Sequence, residues 1–299
     1  MSISMFLQQV ANGVTLGSFF ALVAIGYTMV YGIMRLTNFA HSTLFMMSMY
    51  TVFYLISSFM LPWYVAYPLA LVIAAGLGML TERAAYYPLR RRGAPTKTML
   101  ISSIGVSYLL ENSATVLFTG RAKVFPSIRF LTRSITIGSV RLQQIDLFVP
   151  MIALVLLAGL MYLLNHTKSG MAMRALSRDL YAAQLMGIDV NRTVSFTFAI
   201  GSGLAAAGAI IWGLKYPVIV PTIGTIPGVK CFIAAVVGGI GNVNGAVLGG
   251  FLLGFVEVML ITFFPTLTGY RDAFSFVLLI VVLLVRPTGL MREKTGEKV

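Results

Sequence analysis

Asn38, His41, Ser42, Glu111, Lys230 and Glu257 are polar or charged side chains set among long apolar runs, and they limit the chemistry open to this chain. Polar and ionisable groups at membrane depth are costly, so residues kept there mark solute or proton paths. Asn38 and His41, with Arg35, interrupt the join between the first two apolar runs in the manner of a broken helix. Breaks of this kind line transport sites near the bilayer midplane. Glu111 and Asn112 interrupt the run 98–118, where Glu111 either faces a path or pairs with another helix through Lys230. Glu257, inside the run 246–264, reads as a structural carboxylate.

Covalent catalysis finds no constellation. The histidines His41 and His166 have no ligand spacing around them, so no metal site is expected. The chain has no G-x-x-x-x-G-K-[ST] and no serine in G-x-S-x-G. The glycine-rich GGIGNVNGAVLGG reads G-x-G-x-x-x-G, and it lacks the preceding strand and the following acidic residue of a dinucleotide site. Cys231 is the single cysteine and lies in an apolar stretch, which offers neither a disulfide framework nor a thiol metal site.

A different chemistry, that of docking, is written between Thr167 and Arg192 in TKSGMAMRALSRDLYAAQLMGIDVNR. Met173, Leu176, Leu180, Ala183 and Gly187 recur at steps of three and four, which predicts one face of a helix. Arg174, Arg178, Asp179 and Gln184 fall mostly on the rest of the circumference. An amphipathic helix on a loop of a membrane protein is available to a partner. Gly170 and Gly187 bracket it and can let the chain turn sharply at each end.

The elements that must hold these residues are transmembrane helices. The chain has 299 residues, 58% hydrophobic and 10% charged, with a mean hydropathy of +0.89. Soluble domains carry about 25% charged residues. Continuous rather than alternating apolar runs exclude an outer-membrane barrel and predict an all-α polytopic protein. Expected spans are Val10–Met34, Ser42–Leu61, Tyr64–Tyr87, Thr98–Phe118, Leu147–Asn165, Thr193–Leu214, Pro227–Ile240, Ala246–Phe264 and Ala273–Val285. Met1–Gln9 lacks the basic region of a cleavable signal peptide.

The net charge of +13 is gathered in loops, at Arg90, Arg91, Arg92 and Lys97, in 168–192 and in 286–298. That is the inside-facing signal, and it needs no nucleic acid to explain it. With the 167–192 loop and the 287–299 tail both cytoplasmic, an even number of crossings must separate them, so the short Pro227–Ile240 run has to count as one. The amino terminus then lies outside; a re-entrant 35–41 would give eight crossings instead of nine. The segment 119–146 carries Arg121, Lys123, Arg129, Arg133 and Arg141, yet the same parity puts it outside. Gly201, Ala205, Ala209 and Gly213 repeat at four-residue spacing, as do Gly241, Gly245 and Gly249, and such stripes let helix backbones approach closely.

The runs LTNFAHSTLFM, GVKCFIAAVVGGIGNVNGAVLGG and TKSGMAMRALSRDLYAAQLMGI resemble the permeases of ABC importers for branched-chain amino acids, of the Liv type and its H subunit. The resemblance covers nearly the whole chain as one permease domain of about eight or nine helices, and places it in the bacterial plasma (inner) membrane. It implies a second homologous permease, two cytoplasmic ATPase subunits that use ATP and Mg, and an extracytoplasmic amino-acid-binding protein, with no cofactor on this chain. The 167–192 island then corresponds to the coupling helix, with Ala182, Ala183 and Gly187 matching the core of the importer EAA loop. Tyr181 stands where the wider superfamily has Glu, and the downstream Leu-Pro is missing. Ser42 and Thr43 replace the Gly and acidic residue often found after the Asn-x-Ala-His block. Urea and short-chain amide importers use similar permeases, so they remain alternatives, and an ion-coupled carrier working through Glu111 or Glu257 is a third.

Overall fold

The computed structural model describes residues 3–128, 131, 133–137 and 140–291. Each apolar span expected from the sequence coincides with a helix. In chain order these are α1 (Ile3–Met34), α2 (Ala40–Ser57), α3 (Trp63–Thr81), α4 (Tyr87–Arg91), α5 (Thr96–Phe118) and α6 (Gln144–His166). After them come α7 (Lys168–Arg178), α8 (Leu180–Leu185), α9 (Val190–Lys215), α10 (Thr225–Gly238), α11 (Val243–Phe263) and α12 (Arg271–Val285). A π-helical turn, Glu82–Tyr86, joins α3 to α4, and a 3-10 turn, Pro265–Tyr270, leads into α12. Among the described residues, 7 helical stretches are long and apolar enough to cross a membrane, which makes this a multi-pass membrane protein. The two other apolar helices are α2, interrupted by polar side chains, and α10, which is short.

Apolarity on every side of a helix is a signature of burial. α1 has it and sits at the centre, with 94% of its most apolar stretch buried, against 11% for α5 and for α12. α1 packs chiefly on α11 and α9. Glycine makes the α1–α11 contact possible. A side-chain carbon on Gly250 would collide with the backbone of Ala21, and one on Gly254 with the backbone of Gly17. The stripe on α9 does part of what its spacing predicts. Gly201 lies against Gly26 of α1, and Ala205 and Ala209 are fully buried. Gly213 instead accommodates the ring of Phe125 from the 119–143 loop.

The second stripe needs correction at one residue. Gly245 and Gly249 lie on α11 against Gly238 and Ala234 of α10, as expected. Gly241 is outside the helix, in a turn with φ +98°. Asn242 starts α11 there, its Oδ1 accepting the Gly245 N–H at 3.1 Å. α10 stops at Gly239, φ +111°, and its last carbonyls are met from the chain's far end. Leu290 N–H donates to Val237 O at 2.9 Å and Met291 N–H to Gly238 O at 3.0 Å. The rest of the expected tail, 292–299, lies outside the described residues.

Helix direction puts 119–143 and 216–224 at the end of the bundle opposite 167–189. Two short pairings form there: β1 (Lys123–Val124) with β4 (Val218–Ile219), and β2 (Ser134–Ile137) with β3 (Val140–Gln143). Lys215 at the end of α9 bonds Asp146 at the start of α6 (2.5 Å) and Asn12 of α1 (3.3 Å), tying three helices together. Arg129, expected in this segment, is outside the described residues.

Candidate coupling surface and polar site

The 167–192 island folds as two helices rather than one. Thr167 caps α7, its Oγ1 accepting the Gly170 N–H at 3.1 Å while donating to Leu163 O at 2.6 Å. Asp179 breaks the run. Its backbone is extended, and its Oδ1 accepts the Ala182 N–H at 3.0 Å, so it caps α8 instead of lying on a polar helix face. After α8 the Gly187 N–H bonds Gln184 O (3.0 Å) and the Ile188 N–H bonds Ala183 O (3.1 Å). This paired closure requires a left-handed residue, and Gly187 supplies it at φ +83°. Gly170 works differently from the sharp turn expected of it. It is inside α7, where a side chain would collide with Leu163 and Leu164 at the end of α6.

Met173, Leu176 and Ala183 are buried, as their spacing predicts. Leu180 is not. It joins Tyr181, Leu185 and Met186 in an exposed apolar knob, with Met186 83% accessible. α7 rests on α6, α1 and α9, so a push on this element reaches the two most buried helices. Arg174 staples it from the side, donating to Asn165 Oδ1 at 3.3 Å, and Arg35 at the foot of α1 donates to Ser177 O at 3.1 Å. A cleft of about 620 Å³ lies between α7 and the turn Gly241–Asn244.

The polar residues divide between positioning and access. Asn38 is buried, with Oδ1 accepting from Tyr86 OH at 2.6 Å and from Ala40 N–H at 3.1 Å, which fixes the break between α1 and α2 to the end of the π-helical turn. His41 is buried edge-on to Tyr27 at 4.5 Å, in the notch left by Gly26 beside Gly201. Ser42 donates to Phe39 O at 2.9 Å and packs on Gly224, just before α10, and on Gly228 within it. Glu111 is partly exposed on α5, and the pairing with Lys230 does not form. Lys230 is held instead by Glu257 at 2.9 Å and Asp272 at 2.6 Å, while Arg271 Nε pairs with the same Glu257 oxygen. Glu257 is therefore buried and shared by two cations. Of the five path residues, Lys230 also lines a cavity.

Tyr86, Arg271 and Asp272 are partners that sequence spacing could not assign, since each meets its group across a large separation. A second buried carboxylate, Glu82, bonds Arg90 (2.8 Å) and Ser195 Oγ (2.6 Å), anchoring the π-helical turn to α9. Among the described residues, no group of three or more His, Cys, Asp or Glu side chains could hold a metal ion. Replacing Asn38 by Ala leaves the buried Tyr86 hydroxyl without its acceptor. The expected cost is about 1–3 kcal/mol, read as a lower unfolding midpoint of the purified protein, with Tyr86→Phe in the same background restoring most of it.

Comparison with known proteins finds relatives along nearly the whole chain. The family model described as "Branched-chain amino acid transport system / permease component" matches residues 9–283. The high-affinity branched-chain amino acid transport system permease protein BraD of Pseudomonas aeruginosa is 38% identical, covering 98% of each chain. LivH of Escherichia coli K12, named in the same words, shows the same identity and coverage. The probable branched-chain amino acid transport permease protein LivH of Methanocaldococcus jannaschii is 27% identical over 90% of this chain and 87% of its own. No solved structure matches. The family match over residues 9–283, with 38% identity to these permeases over 98% of the chain, places this multi-pass helical protein in the branched-chain amino acid transport permease family.

Proposed function

We propose that this chain is the transport subunit of an ATP-driven importer that carries leucine, isoleucine, valine or related hydrophobic amino acids across the plasma (inner) membrane. The correspondence to permeases named for branched-chain amino acids, over 98% of the chain, carries the reading. A second homologous permease, two cytoplasmic ATPases that use ATP and Mg, and an extracytoplasmic binding protein complete the machine. The chain itself supplies a path and a lever.

The lever is α7–α8. Nucleotide-driven closure of the ATPases presses on the knob of Tyr181, Leu185 and Met186, and α7 passes the displacement to α1 and α9. Packed interfaces switch between discrete arrangements rather than deforming smoothly, so a small push becomes a change of access. The path is mostly apolar, because an aliphatic side chain offers hydrophobic contact worth about 1.5–3 kcal/mol when fully buried. Asn38, His41 and Ser42 set the position of α2 along that path, and Asn38, His41 and Glu111 are the polar candidates to meet the amino acid's charged ends. High affinity belongs to the binding protein, which leaves this chain a weak and transient site.

The test is reconstitution of the whole importer in proteoliposomes. ATP-dependent uptake of labelled leucine, suppressed by excess isoleucine or valine and indifferent to urea, is the expected result. Uptake that persists without ATP and collapses with the proton gradient overturns the reading in favour of an ion-coupled carrier. Uptake of urea with none of leucine reassigns the substrate.

A further inference from the structure

A cleft of about 300 Å³ opens at the end of the bundle opposite α7 and α8. One wall is apolar, built by Trp212, Val220, Ile223, Ile226 and Pro227; the other carries Lys230, Arg271 and Asp272. Lys230 is 8% exposed in its side chain, whereas Asp272 is 52% exposed, so the charged wall runs from the protein interior to the open mouth. Together with Glu257 behind them, these residues form two cations and two anions linked in series, Asp272 to Lys230 to Glu257 to Arg271. Gly224, next in the chain to the lining residue Ile223, abuts Ser42 and Met46, so this turn also packs on the start of α2.

We propose that this cleft is a transient binding site for a zwitterionic α-amino acid with an aliphatic side chain. Its carboxylate is held by Lys230 and Arg271, its ammonium by Asp272, and its side chain by Ile223, Ile226 and Val220. The inference deepens the importer reading and rests on it. Charge balance selects the ligand. A buried ion pair is costly to break when one partner is left alone, but a zwitterion inserts between Lys230 and Asp272 and gives each a new counter-charge. A lone anion or cation would unbalance the neutral quartet. Urea has neither the charges to enter it nor the side chain to use the apolar wall. Volume agrees as well, since the cleft stands at the small end of ligand pockets. It opens at the end away from the knob, where delivery by an extracytoplasmic protein takes place.

The experiment uses the complete importer in proteoliposomes, with one binding protein preparation, ATP, and labelled leucine or valine. Asp272→Asn is expected to lower leucine uptake about ten-fold, and Asp272→Glu to recover most of it. Ile226→Ala, at a half-exposed wall position, is expected to change the leucine-to-valine uptake ratio about three-fold. A purely structural contribution would lower both uptakes equally. An unchanged ratio in Ile226→Ala, or wild-type leucine uptake in Asp272→Asn, overturns the cleft and leaves the importer reading standing. If Asp272→Asn fails to copurify with its ATPases, the ratio in Ile226→Ala decides alone. A wild-type complex that imports no amino acid overturns both.

Discussion

Gly250→Val is expected to give a protein that inserts but does not hold its fold, with the unfolding midpoint in detergent falling steeply and little monodisperse material surviving purification. Gly250 lies where α11 crosses the central α1, and a Cβ there would run into both N and Cα of Ala21. Backbone cannot rotate away as a flexible side chain can, so the helices must separate. Overpacking usually costs about 1–3 kcal/mol, and a clash with main chain in the most buried helix belongs at the upper end. The separation also removes contacts at Gly17 and Gly254 farther along the same interface. In lipid, where no hydrophobic force returns helices to each other, close packing is the main attraction being lost. Gly203→Val provides the control. Nothing lies within 4 Å of a Cβ at Gly203, and valine is a better helix former than glycine, so that variant should leave the unfolding midpoint unchanged or slightly raised.

The second large effect concerns assembly rather than folding. Leu185→Asp combined with Met186→Asp should leave the helix bundle intact and abolish copurification with the ATPases. Both side chains are exposed, at 70% and 83%, and neither contributes to the buried face of α8. An apolar anchor at the centre of an interface typically carries about 2 kcal/mol, roughly a thirty-fold change in affinity. Two such anchors replaced by carboxylates should separate the subunits at ordinary concentrations. Unaltered complex on size exclusion, with uptake at the wild-type rate, would remove the knob from the coupling mechanism. Ala183→Asp offers a contrast, since Ala183 is buried against the protein and should damage the element itself.

Most spans were readable because lipid imposes one rule, a continuous apolar stretch of sufficient length, and 7 stretches here obey it without help from distant residues, whereas the short α10 counts as a crossing only through the charge of the loops on either side. The docking element was readable for a related reason, since Met173, Leu176 and Ala183 report their burial through local spacing. What spacing did not reveal was the break at Asp179. An aspartate on a helical wheel looks like a solvated face, and its role as a cap depends on backbone geometry that a wheel does not contain. Gly241, four residues before Gly245, has the spacing of a packing stripe, but Asn242 starts the helix between them. The polar site was legible as a set of residues and not as a set of pairs. Lys230 and Asp272 lie on helices far apart in sequence, and Asn38, in the break after α1, is as far from Tyr86 in the π-helical turn. Nothing local to Glu111 shows that Lys230 is already bound elsewhere.

α1 is completed at Met34, while two of the helices that enclose it, α9 and α11, begin at Val190 and Val243. During synthesis the future hub must therefore wait in the bilayer for most of the chain to follow. An evenly greasy surface suits that wait, since lipid can solvate every side until the late helices displace it. Nascent chains stalled before α11 should accordingly expose Gly13, Gly17 and Ala21 to lipid-soluble crosslinkers that the finished protein excludes. Folding of this permease is in that sense a closing of later helices around the first, and mutations at the glycines of α11 should act by delaying that closure.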